Sequence, residues 1–171
     1  SNPYTLALGR EHRITLFPYQ SAGWSYQTFG AISDNSGVPE AYLNVGKPFV
    51  PGDGAELHAN YRGTAIGDLG QHDRVNADVS ARLDYGQSSK TLSLNIHNAT
   101  RSSLNATSNS ATRDARLDFS DTLNWNGNTG RFESETGNAR LYGGGEELCG
   151  QFSRAVGNEA YRGAYGAKKV Q

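Results

Sequence analysis

The side chains best suited to chemistry in this sequence are four histidines, one cysteine and two adjacent glutamates. Glu146 and Glu147 are neighbours, so in a strand they would face opposite sides and could not work together as acid and base. Cys149 has no partner at the spacing of a zinc site, and a single cysteine cannot form an internal disulfide. The sequence also lacks a Gly-x-Ser-x-Gly elbow, a His-Glu-x-x-His pair and a phosphate-binding loop. We therefore predict a protein that is not an enzyme, with no catalytic residue and no metal site.

The four histidines fall into two groups by their surroundings. His58 and His97 alternate with apolar residues in strand-like runs, which predicts that both lie on a solvated strand face. His12 and His72 lie near predicted turns, among glycine and charged residues. Binding residues concentrate in such loops. His12 and His72 are therefore candidate ligand-binding residues.

The N-terminal part of the chain carries an unusually dense set of aromatic residues, namely Phe17, Tyr19, Trp24, Tyr26 and Phe29. They could form the core of a small sheet, which needs large side chains to bury enough area. They could instead form an exposed binding platform, because Tyr and Trp are favoured at recognition sites. Pro18 between the first two of these residues favours an edge or a turn. Phe17, Tyr19 and Trp24 are therefore kept as candidate ligand-binding residues.

Composition and charge exclude several classes of partner. The 171 residues include 16 basic and 17 acidic side chains, so the net charge of -1 gives no basic field for nucleic acid. No apolar run reaches the length of a transmembrane helix, and no signal peptide is visible, so an exported form would already have lost its signal. A hydrophobic fraction of 36% with 21 glycines favours an all-β protein over a disordered one.

Alternation with a period of two dominates the chain and predicts strands. From Val75 to Tyr85 every second residue is apolar or aromatic and the residues between are polar. A turn at residues 86–89 leads to a second alternating run that contains Leu92, Leu94 and Ile96. These two runs predict an antiparallel hairpin. The same alternation places Cys149 opposite Leu148 and Phe152, outside the interior and covered by the N-terminal sheet.

The strand count predicts a closed barrel preceded by a smaller sheet. From Ala55 to Lys169 about eight strands are separated by short turns, enough to close a small soluble antiparallel β-barrel filled by side chains. Residues 1–54 form a small antiparallel handle sheet in this prediction, and residues 55–171 form the barrel. The Pro and Gly residues of 47–54 mark the boundary. Residues 98–112 are rich in Ser, Thr and Asn, which predicts a long surface loop, and the two Asn-x-Thr triplets in it are read as chance matches.

The last strands carry a resemblance to a known family. The chain ends in Gly137 to Gly143, then Glu146-Glu147-Leu148-Cys149-Gly150-Gln151-Phe152, then Ala164 to Lys169. This pattern resembles the end of the transferrin-binding-protein-like C-terminal β-barrel family, with Cys149 at a position where the family pattern has Gly. Residues 42–46 followed by residues 55–64 are similar to the family's junction between handle and barrel.

The resemblance implies a function that the residues alone do not. Members of this family are exported by Gram-negative bacteria as surface lipoproteins or as secreted, hemophilin-like haem and iron acquisition proteins. An outer-membrane secretion or assembly pore recognises the barrel. We therefore expect a surface or secreted binding protein for haem or iron acquisition, with haem as the expected cofactor and haem, haemoglobin or another host protein as partner. The alternative is a host-interaction or colonisation protein that binds a host protein such as a complement regulator and has no role in iron.

A third interpretation is an eight-stranded outer-membrane barrel, which fits the length and the strand count. Period-two alternation does not say which face of a strand meets lipid. Many positions on the apolar faces are Ala or Gly rather than large side chains, as at Ala77 and Ala81. This pattern disfavours a lipid-facing band.

Overall fold

The computed structural model describes residues 4–16, 23–105 and 110–171, so Phe17 and Tyr19 lie outside the described residues. The described part is all-β, as predicted, with two short 3-10 turns at Ala115–Leu117 and Gly143–Gly145. The strands are β1 Tyr4–Leu8, β2 His12–Leu16, β3 Gln27–Asp34, β4 Pro39–Gly46, β5 Pro48–Phe49, β6 Leu57–Leu69, β7 Asp73–Tyr85, β8 Lys90–Ser103, β9 Thr112–Arg113, β10 Phe119–Asn126, β11 Arg131–Glu133, β12 Gly137–Tyr142, β13 Glu147–Val156 and β14 Glu159–Val170. Within these residues no helix has the length and hydropathy needed to span a bilayer.

Eight strands close into an antiparallel barrel, which confirms the predicted fold. The order around the barrel is β6, β7, β8, β10, β11, β12, β13 and β14, and β14 pairs with β6 from Tyr161 opposite Leu69 to Val170 opposite Asn60. The short strands β5 and β9 add to β12 and β8 respectively. Because each of the eight strands pairs with a neighbour on both sides, the sheet closes on itself without an unpaired edge strand.

The predicted hairpin is the β7 and β8 pair. Leu83 lies opposite Leu92, and Val79 lies opposite Ile96, with all four side chains buried in the barrel core. The ladder is interrupted by a bulge in β8 at Asn98, whose φ of 54° places it in the left-handed region. A bulge of this kind reverses which residues point inward.

The prediction of a surface loop at residues 98–112 is wrong for its first half. β8 runs on to Ser103, and after the bulge Ala99 is fully buried although its neighbours are polar. Asp118 accepts a hydrogen bond from the Ala99 amide at 3.0 Å, and Arg113 donates to the Ala99 carbonyl at 3.1 Å. These side chains complete the backbone hydrogen bonds of a polar strand, so a Ser- and Thr-rich segment stays extended. Residues 106–109 lie outside the described residues.

Aromatic rings form two clusters in the barrel interior, and aliphatic side chains pack with them in the core. One cluster consists of Phe119, Phe152 and Tyr161, and the other consists of Tyr85, Trp125 and Phe132. Ring centroids within the clusters lie 4.8 to 6.5 Å apart in mostly edge-to-face arrangements. Such pairs add stability beyond the area that they bury. The outward-facing residues of β6 to β8 are polar at most positions, which is the alternation expected of a barrel with a packed interior.

The first four strands form a separate antiparallel sheet in the order β1, β2, β3, β4. It corresponds to the predicted handle. The connection to the barrel passes through Pro48 and Phe49, which pair with Tyr142 and Leu141 of β12. The division into domains at residues 1–54 and 55–171 stays a prediction.

The assignment of inner and outer barrel faces can be tested with one pair of aspartate substitutions. Leu83→Asp buries an unpaired carboxylate in the core, so we expect it to lower the free energy of unfolding by at least ~3 kcal/mol. Arg82→Asp changes the neighbouring residue, whose side chain is exposed and pairs with Asp84, so we expect a loss below about 1 kcal/mol. Urea denaturation followed by circular dichroism measures both. Equal losses in the two variants would mean that the faces are assigned wrongly.

Candidate ligand-binding site

The handle sheet packs with one face against the outside of the barrel. Phe29 of β3 and the preceding Trp24 contact Ala164 of β14 in a small buried cluster. A Cβ added to Gly166 would lie 2.6 Å from the Phe29 ring and 2.9 Å from the Gln27 amide. The sheet can therefore approach this closely because β14 has small residues on its outer side.

Two fully buried carboxylates fix the handle on the barrel. Asp68 of β6 accepts a hydrogen bond from the Tyr42 hydroxyl at 2.6 Å, and Arg162 lies 3.5 Å from the same oxygen. Glu147 of β13 accepts the backbone amides of Ser25 at 2.7 Å and Tyr26 at 3.0 Å. Burial and the Asp68 carboxylate raise the pKa of Tyr42 well above its usual range. Buried charges need such partners, so these contacts specify how the handle sits.

Cys149 lies in this same contact, where the sequence placed it. Its side chain is 1% exposed, outside the barrel core and near Asn44 of β4 and Tyr142 of β12. Burial raises the pKa of the Cys149 thiol to about 12. The side chain is therefore a neutral thiol at physiological pH and is not a nucleophile.

Two of the histidines use both of their ring nitrogens in contacts with carboxylates. His72 contacts Glu159 through Nε2 and Asp73 through Nδ1 at 3.1 Å, so it links the turn between β6 and β7 to the turn between β13 and β14. His58 contacts Asp84 and Glu56, each at 3.1 Å. These acids raise the pKa of both histidines. Neither ring has a nitrogen left over for a ligand unless one of these contacts breaks.

His12 differs because only its Nδ1 has a partner, Glu40 of β4 at 2.8 Å. Its Nε2 makes no hydrogen bond with any residue in the described ranges, and the side chain is 46% exposed. A carboxylate beside Nδ1 favours the tautomer that carries its proton on Nδ1, and this tautomer leaves the lone pair on Nε2 to coordinate a metal. His97, by contrast, is half-buried beside the bulge in β8.

His12 stands on the side of the handle that faces away from the barrel. In the antiparallel register Leu6, Ile14 and Ile32 lie in one row across three strands, and His12 is two residues from Ile14 on the same face. We call this surface the outer handle face, and its apolar members are Leu6, Ile14, Leu16, Ile32, Leu43 and Val45. Leu6 is 45% exposed and Val45 is 47% exposed. The face is therefore an open apolar surface with one imidazole at its edge.

The structure separates the candidate residues that the sequence grouped together. His12 lies on the outer handle face, whereas His72 lies at one end of the barrel. Trp24 is 7% exposed and packs edge-on against Phe29 between handle and barrel, with ring centroids 5.9 Å apart. Phe17 and Tyr19 fall outside the described residues. Among the residues that are described, no three His, Cys, Asp or Glu side chains cluster as a metal site.

The apolar residues of the outer handle face were not identified from the sequence. The sequence of β3 did contain a hint of this face, because apolar residues occur at both odd and even positions of the strand. Phe29 lies on one face and Ile32 on the other. A strand that is apolar on both sides is expected to contact something on both sides. The buried Asp68 and Glu147 gave no such signal, because their partners are distant in the chain.

The fold has relatives among solved structures, although no family model and no curated protein matches the sequence. Intact Ap-TbpB, with N and C lobes, is 16% identical with a TM-score of 0.58, and the match covers 98% of this chain. A mutant of the vaccine antigen transferrin binding protein B (TbpB) from Haemophilus parasuis Hp5 is 16% identical with a TM-score of 0.60 and covers the whole chain. This chain spans 38% of the length of each. At this identity the likeness shows the fold, a TbpB-like handle and barrel.

The contacts of His72 predict a dependence of stability on pH. Its pKa is raised in the folded state, so the protonated imidazole stabilises the fold below the unfolded pKa of about 6.5. That contribution is lost as pH rises through the folded pKa. We expect the melting temperature to fall less between about pH 6 and about pH 8 in His72→Gln than in the wild type. An unchanged pH dependence in thermal melts would show that the contacts to Glu159 and Asp73 do not persist in solution.

The role of Glu147 can be tested against its exposed neighbour. Glu147→Gln puts an amide group where two backbone amides donate, so one donor loses its acceptor and the free energy of unfolding should fall by about 1–3 kcal/mol. Glu146→Gln is the matched control, since Glu146 is exposed and lies 3.8 Å from Lys169. Hydrogen exchange at Ser25 and Tyr26 should accelerate in the first variant alone. Similar effects in both variants would contradict the role of Glu147 in fixing the handle on the barrel.

Proposed function

We propose that this chain is a non-enzymatic ligand-binding protein of a bacterial surface or secretion system that acts in haem or iron acquisition from a host. The observation that carries the proposal is the outer handle face, an exposed apolar surface with His12 at its edge. The fold supports it, because structures named for binding transferrin share the handle and barrel. Fold alone does not define function, so the ligand is argued from the site.

An apolar surface of this kind is unusual on a protein with no partner. The handle already buries one of its two faces on the barrel, and Leu6 and Val45 remain nearly half-exposed on the other. Exposed apolar patches mark interaction sites. The outer handle face is therefore the surface that we assign to the ligand. Phe17 and Tyr19 stay candidates on the basis of the sequence alone.

Haem fits the chemistry of this surface. A porphyrin is a flat apolar ring, and its iron takes a neutral imidazole nitrogen as an axial ligand. His12 offers Nε2, while Glu40 holds Nδ1 and so orients the ring. Bound haem would supply iron to the importing cell, and the protein would supply a single imidazole ligand and an apolar platform. His72 is the weaker candidate because both of its nitrogens already have partners.

A host protein without any role in iron, such as a complement regulator, is the second candidate. The open shape of the outer handle face favours it, since proteins bind flat surfaces more readily than small molecules do. Secretion through an outer-membrane pore that recognises the barrel belongs to this proposal and is common to both candidates.

Haem titration distinguishes the two candidates. Purified protein with haem should give a shifted Soret band, and His12→Ala should lose the shift because the axial nitrogen is gone. His58→Ala is the matched control. It also removes an exposed imidazole, but one whose two nitrogens both contact acids. Loss of the shift in His72→Ala instead would move the site to the end of the barrel. If haem causes no spectral change in the wild type, the haem proposal is wrong.

The same protein can then be tested against host proteins. A pull-down from serum and from haemoglobin should recover a partner that Ile14→Lys fails to bind, because the lysine places a charge in the middle of the outer handle face. Glu135→Lys, at an exposed position on the barrel, is the control. Capture that survives Ile14→Lys would show that the ligand binds elsewhere.

A further inference from the structure

We propose that the outside of the barrel carries a second binding site, a groove centred on Arg62 that takes an anionic glycan. This site is separate from the outer handle face and does not depend on the function proposed for that face. The groove crosses the outward sides of β6, β7 and β8. It begins at Trp24, beside the handle, and ends at β10.

Two depressions, each of about 710 Å³, meet at Arg62 to form the groove. The one towards β10 is lined by Asn60, Ser80, Arg82, Asn95 and Ser120. The one towards the handle is lined by Trp24, Thr64, Asn76, Asp78 and Lys168. Nearly all of these side chains are short hydroxyls, amides or charges, because they occupy the outward positions of barrel strands.

Positive charge is concentrated where the two depressions meet. Arg62 of β6 lies directly opposite Lys168 of β14, and both side chains are exposed. Like charges in this arrangement repel each other and destabilise a sheet. Lys168 donates to the Gly23 carbonyl at 3.1 Å, but Arg62 makes no hydrogen bond or ion pair with any part of the chain that is described. An anion between the two would relieve the repulsion and pair with the guanidinium.

The other charged side chains that line the groove are Asp78, Arg82 and Asp121, and each has a partner within the chain. Asp121 accepts hydrogen bonds from Ser134 at 2.6 Å and from Thr136 at 3.0 Å. Asp78 accepts a hydrogen bond from Asn98 at 3.0 Å, and Arg82 pairs with Asp84 at 3.2 Å. The Asp78 carboxylate lies on the β7 side, opposite Thr64. Among the described residues no ion pair joins this carboxylate to Arg62 or Lys168, so both cations can still bind a ligand.

Two buried polar atoms beside the groove lack partners among the described residues. They are the indole Nε1 of Trp24 and the Nδ1 of His97. His97 lines a third depression, which shares Arg62 and Asp78 with the groove. Buried polar groups without partners are rare in native proteins, and each needs an explanation. A ligand rich in hydroxyl groups that enters here could provide an acceptor for one atom and a donor or acceptor for the other.

A carbohydrate with a carboxylate or sulfate group matches this lining better than other ligands. Sugar hydroxyls exchange hydrogen bonds with amide and hydroxyl side chains, and the acid group pairs with Arg62 and Lys168. An extended peptide usually adds to a free strand edge, which the closed barrel does not offer here.

The site can be tested by titration calorimetry with sialyllactose, a heparin tetrasaccharide, neutral lactose and a glutamate-rich peptide. We expect binding of sialyllactose or of the heparin fragment, and which of them binds more tightly tells whether the acid is a carboxylate or a sulfate. We expect lactose to bind more weakly than either. Arg62→Gln should weaken binding about tenfold or more, because it removes the guanidinium while keeping a polar side chain.

Lys47→Gln is the matched control, since it removes one exposed positive charge at a distance from the groove. It should leave glycan binding unchanged, and the melting temperature of both variants should match the wild type. The proposal is overturned if neither anionic sugar binds, if lactose or the peptide binds as tightly, or if Lys47→Gln weakens binding as much as Arg62→Gln. The His12→Ala variant should retain full glycan binding, so this site can fail independently of the outer handle face.

Discussion

The pairing of β14 with β6 is the contact on which the rest of this structure depends. It joins the last strand to the first strand of the barrel and so decides that the apolar side chains face a closed interior. The outward sides of the same two strands then carry everything else. Ala164, Gly166 and Asp68 receive the handle, and a few residues along the same strands Arg62 and Lys168 form the charged centre of the groove.

The handle is placed by size and by charge together. Small residues on β14 allow the two sheets to approach, and the buried Asp68 and Glu147 are satisfied only when Tyr42 and the amides near Tyr26 are in position. A buried carboxylate without its partners is costly, so these contacts favour one arrangement over others. The consequence for function is that one handle face is fixed on the barrel while the other remains open, with His12 on it.

Period-two alternation was enough to predict the barrel, because the pleat of a strand turns successive side chains to opposite sides whatever the partner is. It predicted the β7 and β8 hairpin and the position of Cys149 correctly. It failed at residues 98–103. The bulge at Asn98 changes which positions of β8 point inward, so Ala99 is buried although its neighbours in the sequence are polar. The resemblance in the last strands added the prediction of a transferrin-binding-protein-like fold, which the structural comparisons support.

The chain by itself therefore determined the strand pattern, the inner face of the barrel strands and the absence of recognised catalytic motifs. The tertiary structure alone decided which candidate side chains are available. His12 and His72 look equivalent in sequence, but Glu159 engages the second nitrogen of His72 from 87 residues away, and Trp24 is buried by a strand that ends the chain. Local alternation follows from the geometry of one strand, whereas exposure and pairing depend on segments that meet only after the barrel has closed.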